Sequence, residues 1–190
     1  MRHSVRNLST LDRPVVHKFK RREIIPLKKN ILWQIQVGTV RLFTVSDDGT
    51  VITLGFWTAG ELTGYPLACM DACQIECLAE VEATLLNTGQ CWNLHQVMLD
   101  HICQMQTLIC IRHGQVLPRL KALLRWLTDK FGRSTEQGKL IQLRLTHQDI
   151  ADAIGSTRVT VTRLIRDLER EGVLSYSPKQ YIILHHELAA

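Results

Sequence analysis

A chain of 190 residues, 45% of them hydrophobic, is long enough for one or two domains with real cores and too apolar for a disordered polymer. No apolar run approaches the length of a membrane span and no hydrophobic segment follows the basic N-terminus, so the expectation is a cytoplasmic protein with no membrane partner. The net charge of +5 is unevenly spread: residues 1–30 hold nine Lys/Arg against two Asp/Glu, residues 31–117 two against eight, and residues 118–190 twelve against eight. Basic ends around an acidic middle suit a DNA-binding module joined to one that does not bind DNA.

Residues 1–22 are polar and basic with little periodicity, and residues 24–57 read as β-structure. Ile31, Trp33, Ile35 and Val37 alternate with Leu32, Gln34 and Gln36; Gly38 punctuates; Thr39–Val45 and Val51–Trp57 flank Ser46-Asp47-Asp48-Gly49, where Asp-Gly supplies the positive φ of a tight hairpin. The segment 58–62 turns again, and residues 74–86 give a strand pair interrupted near Glu80. Short strands between regular turns predict a sandwich or barrel. The six cysteines, at 69, 73, 77, 91, 103 and 110, include no C-x2-C pair, so a zinc ribbon or finger is not supported. Cys73 and Cys77 share a strand face and read first as small buried hydrophobes.

From Leu94 the period turns helical. Met98, Ile102, Met105 and Ile109 step like a coiled-coil seam, with Val116 extending the row, while Val97, Leu108 and Ile111 form a second apolar face. A helix apolar on two sides needs two partners, either its own β-domain plus a symmetry-related helix or the interior of one larger core. His101 and His113 lie on it, with surface or interface packing as their expected fate. Pro118 marks a new helix with core residues Leu120, Leu123, Leu124 and Leu127, ending near Phe131-Gly132; residues 133–139 read as a polar loop and Leu140–Leu145 as a short strand.

Residues 146–168, THQDIADAIGSTRVTVTRLIRDL, have the layout of a helix-turn-helix. Thr146 and Asp149 form a capping box; Ile150, Ala151 and Ile154 share a face; Gly155 breaks the helix; Ser156 or Thr157 caps the next. In the second helix Val161, Leu164, Ile165 and Leu168 face inward, leaving Arg158, Thr160, Thr162, Arg163 and Arg166 outside, where such a helix can enter a DNA major groove. Val173–Tyr176 and Tyr181–Leu184 flank Ser177-Pro178-Lys179-Gln180 as a hairpin, making the unit a winged helix. No nucleophile–base–orienter set is recognisable, so an enzyme is not expected.

In this order, the elements resemble the Crp/Fnr family of bacterial transcription regulators. The resemblance is strong over 118–184, weaker before 94, and its helix-turn-helix is most similar to the cyanobacterial global nitrogen regulator branch. It implies an α+β fold: a short cyclic-nucleotide-binding-like β-roll (jelly roll) over 1–93, a dimerisation helix over 94–117, and a Crp-type winged helix-turn-helix over 118–190. It implies a homodimer on double-stranded DNA, with RNA polymerase a further candidate partner. The family's base-reading positions fall on Arg158, Val159 and Arg163. Thr146, His147, Gln148, Thr157, Thr160 and Arg166 fall on backbone-contacting or capping positions, and Met98, Ile102, Met105 and Ile109 on the dimer interface. An arginine can donate bidentately to guanine O6 and N7, whereas Val159 offers only apolar contact, as to a thymine methyl. The operator implied is a GTA…TAC-type palindrome.

The sensor half departs from the family. Gly60-Glu61-Leu62 resembles the start of its phosphate-binding cassette, but no arginine occurs from Val51 through Ile111, and a buried phosphate needs a cationic partner. Control by cyclic AMP is therefore not expected. A gapless alignment places Asp100 and Met105 where the nitrogen regulator's 2-oxoglutarate site draws on its dimer helix, which argues against that ligand also. No cofactor is expected. The alternative is a redox- or metal-sensing regulator of the same type using Cys69, Cys73 and Cys77, although the N-terminal cysteine cluster of such relatives is missing.

Overall fold

The computed structural model describes residues 15–68, 72–91, 93–177 and 181–185. In chain order the roll comprises β1 (Val16–Phe19), β2 (Ile24–Ile25), β3 (Ile31–Val37), β4 (Thr39–Val45), β5 (Val51–Thr58), β6 (Leu62–Thr63), the short helix α1 (Tyr65–Ala68), β7 (Cys73–Cys77) and β8 (Val81–Asn87). The helices α2 (Leu94–Ile111) and α3 (Val116–Phe131) follow, then β9 (Gly132–Thr135), β10 (Gly138–Ile141), α4 (His147–Ile154), α5 (Arg158–Arg170), β11 (Leu174–Tyr176) and β12 (Ile182–Leu184).

Two four-stranded antiparallel sheets, ordered β1-β8-β3-β6 and β2-β7-β4-β5, make the roll. Trp33, Ile35 and Ala83 from one sheet and Val40, Leu42, Trp57 and Ile75 from the other close a shared core. Alternation along β3 is what puts one face of the strand there. Cys73 and Cys77 belong to the same core, among apolar residues; Cys69 lies outside the described residues. The turn between β3 and β4 requires Gly38: its φ is +90° and a Cβ would lie 2.2 Å from the Glu80 carbonyl oxygen.

Several elements differ from the sequence expectation. The basic N-terminal stretch contains β1, an edge strand whose outward residues are exposed and hence carry no strong alternation; His17 and Phe19 nevertheless pack edge-on against Trp33. The seam helix ends at Ile111, and Gly114 takes a φ of +87°. Val116 therefore starts α3 and lies half-buried against the core instead of extending the row. Pro118 sits in the first turn of α3, where its missing N–H costs no helical bond. The expected loop over 133–139 is largely a hairpin: β9 and the start of β10 pair from Gly132↔Ile141 to Thr135↔Gly138. Residues of β9 are all exposed, so the strand has no hydrophobic alternation to betray it.

The third sheet, ordered β11-β12-β10-β9, carries the wing. Residues 178–180 of the predicted wing turn lie outside the described residues; Ser177 N–H donates to the Tyr181 carbonyl at 2.9 Å on either side of them. Leu120, Leu123, Leu124 and Leu127 of α3 meet Ile150, Ile154, Val161, Ile165 and Leu184 in one core. Phe56 and Leu78 of the roll enter the same core, so the two halves share buried apolar surface. The exposed edge of β5 is closed by α2, whose buried Gln104 accepts a hydrogen bond from the Phe56 N–H at 2.6 Å.

A five-member ion-pair cluster ties the roll to α4. Arg22, in the turn between β1 and β2, donates from both terminal nitrogens to Asp149 at 3.0 and 2.8 Å, and to Glu76 at 3.1 Å. Arg41 of β4, only 6% exposed, reaches Asp152 at 3.0 Å, Glu76 at 2.8 Å and Asp149 at 3.4 Å. Bidentate guanidinium–carboxylate geometry and burial make these pairs directional rather than diffuse. Arg22 holds φ at +71°, a left-handed backbone uncommon for a residue with a side chain, within a turn fixed by its N–H on the Cys77 carbonyl at 2.7 Å.

Candidate nucleic-acid interface

The first helix of the interface begins with a reciprocal cap. Thr146 Oγ1 accepts from the Asp149 N–H at 3.1 Å, and Asp149 Oδ2 accepts from the Thr146 N–H at 2.8 Å. Burial works to raise the Asp149 carboxyl, but hydrogen bonds from Arg22 and Thr146 and the charge of Arg41 outweigh it and hold the group below the usual carboxylate range. The helix stops at Gly155, in left-handed conformation with φ +65° and ψ +56°. Arg119 of α3 donates to the Ile154 and Gly155 carbonyls at 3.2 and 3.3 Å, placing a cation at the negative end of α4.

Of the two caps the sequence allowed for α5, Thr157 is used: its Oγ1 accepts from the Thr160 N–H at 3.2 Å. Val161, Ile165 and Leu168 are buried beneath the helix, and Leu164 is partly buried against the same core. The 3.6-residue period then leaves Arg158, Val159, Arg163 and Arg166 on the outer face, with Val159 79% exposed. Together with Thr162, Asp167 and Arg170 they line a shallow groove of about 590 Å³ in which four arginines face one carboxylate. That carboxylate, Asp167, is taken up by Arg170. Arg158, Val159 and Arg163 thus share one exposed surface, without a carboxylate partner for either arginine among the described residues.

The backbone-contact candidates divide. Thr157 and Arg166 are exposed, and Thr146 and Gln148 are exposed at the start of α4, where Gln148 donates to Asp152 at 2.6 Å. Thr160 is half-buried, its hydroxyl 2.9 Å from Thr157. His147 is held by the fold: Nδ1 lies 2.8 Å from the Thr162 hydroxyl and Nε2 3.2 Å from the Tyr176 hydroxyl, so the ring joins α4, α5 and the wing. Burial first, then the charge of Arg158, push its pKa below the ordinary histidine value; Glu169 pulls the other way, and Arg166 adds a smaller push down.

On α2 the row of dimer candidates is uncovered. Met98, Ile102 and Ile109 are 47%, 46% and 62% exposed, and Met105 is half-buried. Leu99 is exposed beside them. His113 is exposed, but His101 is buried, contrary to expectation, because its ring stacks on Trp57 with centroids 4.8 Å apart. Gly60-Glu61-Leu62 borders a cavity of about 690 Å³ between the roll, α2 and α3. Asp100 lines it, while Met105 does not. Its lysine, Lys130, comes from α3, well after the stretch 51–111 that holds no arginine, and pairs with Glu61 at 2.8 Å. The signal available was the i, i+4 spacing of Trp126 and Lys130, both of which line the cavity.

A β-roll, a helix with an uncovered apolar row and a winged helix-turn-helix with an arginine-lined recognition helix define a DNA-binding transcription regulator built on a β-roll. Residues 118–188 match the Crp-like helix-turn-helix domain. The chain is 35% identical over 171 residues to the regulatory protein CysR of Synechococcus elongatus, covering 88% of this chain and 82% of that one. It is 42% identical over 95 residues to the global nitrogen regulator of a Synechocystis strain, spanning 50% of this chain and 42% of that protein. A CRP-family transcriptional regulator from Thermus thermophilus superposes with a TM-score of 0.72 at 25% identity, over 91% of this chain and 96% of that one. The chain belongs to the Crp/Fnr family of transcription regulators. That family consists of regulators rather than enzymes, and no helix among the described residues is long and apolar enough to cross a membrane.

Proposed function

We propose that the chain regulates transcription as a homodimer on a GTA…TAC-type palindrome, in the cytoplasm with the chromosome, without control by cyclic AMP. The carrying observation is the shared exposure of Arg158, Val159 and Arg163 at the leading end of α5. Two such helices meet successive major grooves one helical turn apart. Arg158 and Arg163 read guanines, and Val159 replaces a polar reader with an apolar one. A likeness to a global nitrogen regulator, 42% identical over 95 residues, supports the palindrome. The uncovered row on α2 supports self-association, since a second copy brings an identical row to meet it. RNA polymerase is the partner through which a bound dimer would act on a promoter.

The cavity beside Gly60-Glu61-Leu62 supports independence from cyclic AMP: its one Lys or Arg among the described residues is already neutralised by Glu61. The redox reading has less support. Burial pushes the Cys77 thiol up to about 12, far from a reactive thiolate, and no group of three His, Cys, Asp or Glu gathers to hold a metal among the described residues.

Fluorescence anisotropy with palindromic and scrambled duplexes tests base reading. The palindrome should bind at least about 1,000-fold more tightly at physiological salt. Arg158→Ala should remove at least about 30-fold from the palindrome alone, about 1–3 kcal/mol at each of two half-sites. Equal binding to both duplexes, unchanged in the variant, would overturn the assignment.

A further inference from the structure

A second cationic cleft, of about 720 Å³, lies beside the recognition helix and is built by both halves of the molecule. Its lining includes Arg144 ahead of α4, Arg158 of α5, and Arg21 from the β1–β2 turn of the roll, and among the described residues it contains no carboxylate. Thr146 and Gln148, at the exposed start of α4, line the same cleft. The placement of Arg21 is enforced. Its Nε donates to the Leu78 carbonyl at 3.1 Å, while the next residue, Arg22, is clamped by Asp149 with its backbone in the left-handed region. The neighbouring arginines therefore have separate tasks: Arg22 fixes the turn on α4, and Arg21 extends into the cleft without an ion-pair partner among the described residues. Three arginines brought together without an acid repel one another, an arrangement suited to an anion spanning them.

We infer that the sensor half contributes directly to the DNA-binding surface, with Arg21 and Arg144 holding phosphodiester groups of the operator backbone next to those met by the start of α4. This rests on the DNA-binding reading above and extends its surface beyond the winged helix. Phosphate contacts add affinity and register without sequence information. Arg21 acts on every duplex alike, whereas Arg158 acts on the palindrome. A dimer carries two copies of the cleft, one beside each recognition helix.

The test is the salt dependence of binding for the full chain and for Arg21→Ala, Arg21→Lys and Arg158→Ala, on palindromic and scrambled duplexes. Arg21→Ala is expected to weaken both duplexes by a similar factor, on the order of 60-fold at 0.1 M salt with the two lines meeting near 1 M. It should also make the log–log salt slope shallower by about 1.8 per dimer, one phosphate from each protomer. Arg21→Lys should restore most of the slope, because the charge is kept. An unchanged slope and affinity in Arg21→Ala, with Arg158→Ala still losing its preference, would overturn this inference and leave the base-reading proposal standing. A change confined to the palindrome would also overturn it. No preference for the palindrome in the unsubstituted chain would instead defeat base reading, while the slope on scrambled DNA would still report on Arg21. Inorganic phosphate and chloride at equal ionic strength separate backbone from free anion. Equal competition supports a backbone contact, and phosphate-selective displacement that vanishes in Arg21→Ala would make the cleft a free-oxyanion site and refute the inference.

Discussion

His101 shows what a single buried side chain does to the whole. It is 3% exposed, stacks on Trp57, and neither ring nitrogen has a hydrogen-bond partner among the described residues. Burial lowers its pKa from 6.5 to about 4. Above pH 6.5 the ring is neutral in both folded and unfolded chains and imposes no penalty. As pH falls toward 4 the unfolded chain takes a proton that the folded one refuses, and stability drops by about 3 kcal/mol. His101→Phe keeps an aromatic ring on Trp57 and removes the titration. Urea unfolding should show the variant losing less stability than the parent between pH 6.5 and pH 4, and parallel losses would contradict this account. The placement was not legible beforehand, because a helix with two apolar faces does not say which of them takes a histidine.

At the scale of elements, α2 has one apolar side covered and one uncovered. Its inner side is fixed by Leu108, Ile111 and Gln104 against the roll, and its outer side leaves Met98, Ile102 and Ile109 to water. Ile102→Asp places a charge in the proposed seam twice over. Sedimentation equilibrium should show the dimer dissociation constant raised at least about 100-fold, from the apolar area lost in both copies. Thermal unfolding of the monomer should shift little, since Ile102 is already half in solvent. A dimer of unchanged affinity would move the interface elsewhere. The helix-turn-helix was legible almost residue by residue because its signals are local: caps, a left-handed glycine and a 3.6-residue period lie within two dozen positions. The hairpin β9–β10 and the edge strand β1 were not, since exposed strands have no obligation to alternate. The end of α2 was not legible, because the apolar row continuing through Val116 disguised the break that Gly114 makes.

For the molecule as a whole, the least legible feature is the joint between its halves. Arg22 and Asp149 are 127 positions apart, and Arg41 and Asp152 are 111 apart. Nothing in local composition pairs a roll arginine with a carboxylate of the helix-turn-helix. Arg41→Met would leave Glu76, Asp149 and Asp152 short of a partner in a buried setting, at a cost of about 3–5 kcal/mol, read as a lower urea midpoint. Adding Asp152→Asn should recover part of that loss, because one uncompensated charge is removed. A double variant no more stable than the single would show that the cluster does not act through charge pairing. The cleft with Arg21 shares this origin: it exists only because the joint holds the roll's turn beside α4.

Asp149 belongs at once to that joint and to the first turn of α4. Its Oδ2 serves the Thr146 N–H, the Thr146 hydroxyl and an Arg22 nitrogen, each at 2.8 Å. One carboxylate therefore closes a helix and fastens a domain, so the two openings draw on the same bonds. Separation of the halves and fraying of α4 become a single cooperative event, and amide-exchange protection at the start of the recognition unit reports the free energy of the joint between the halves.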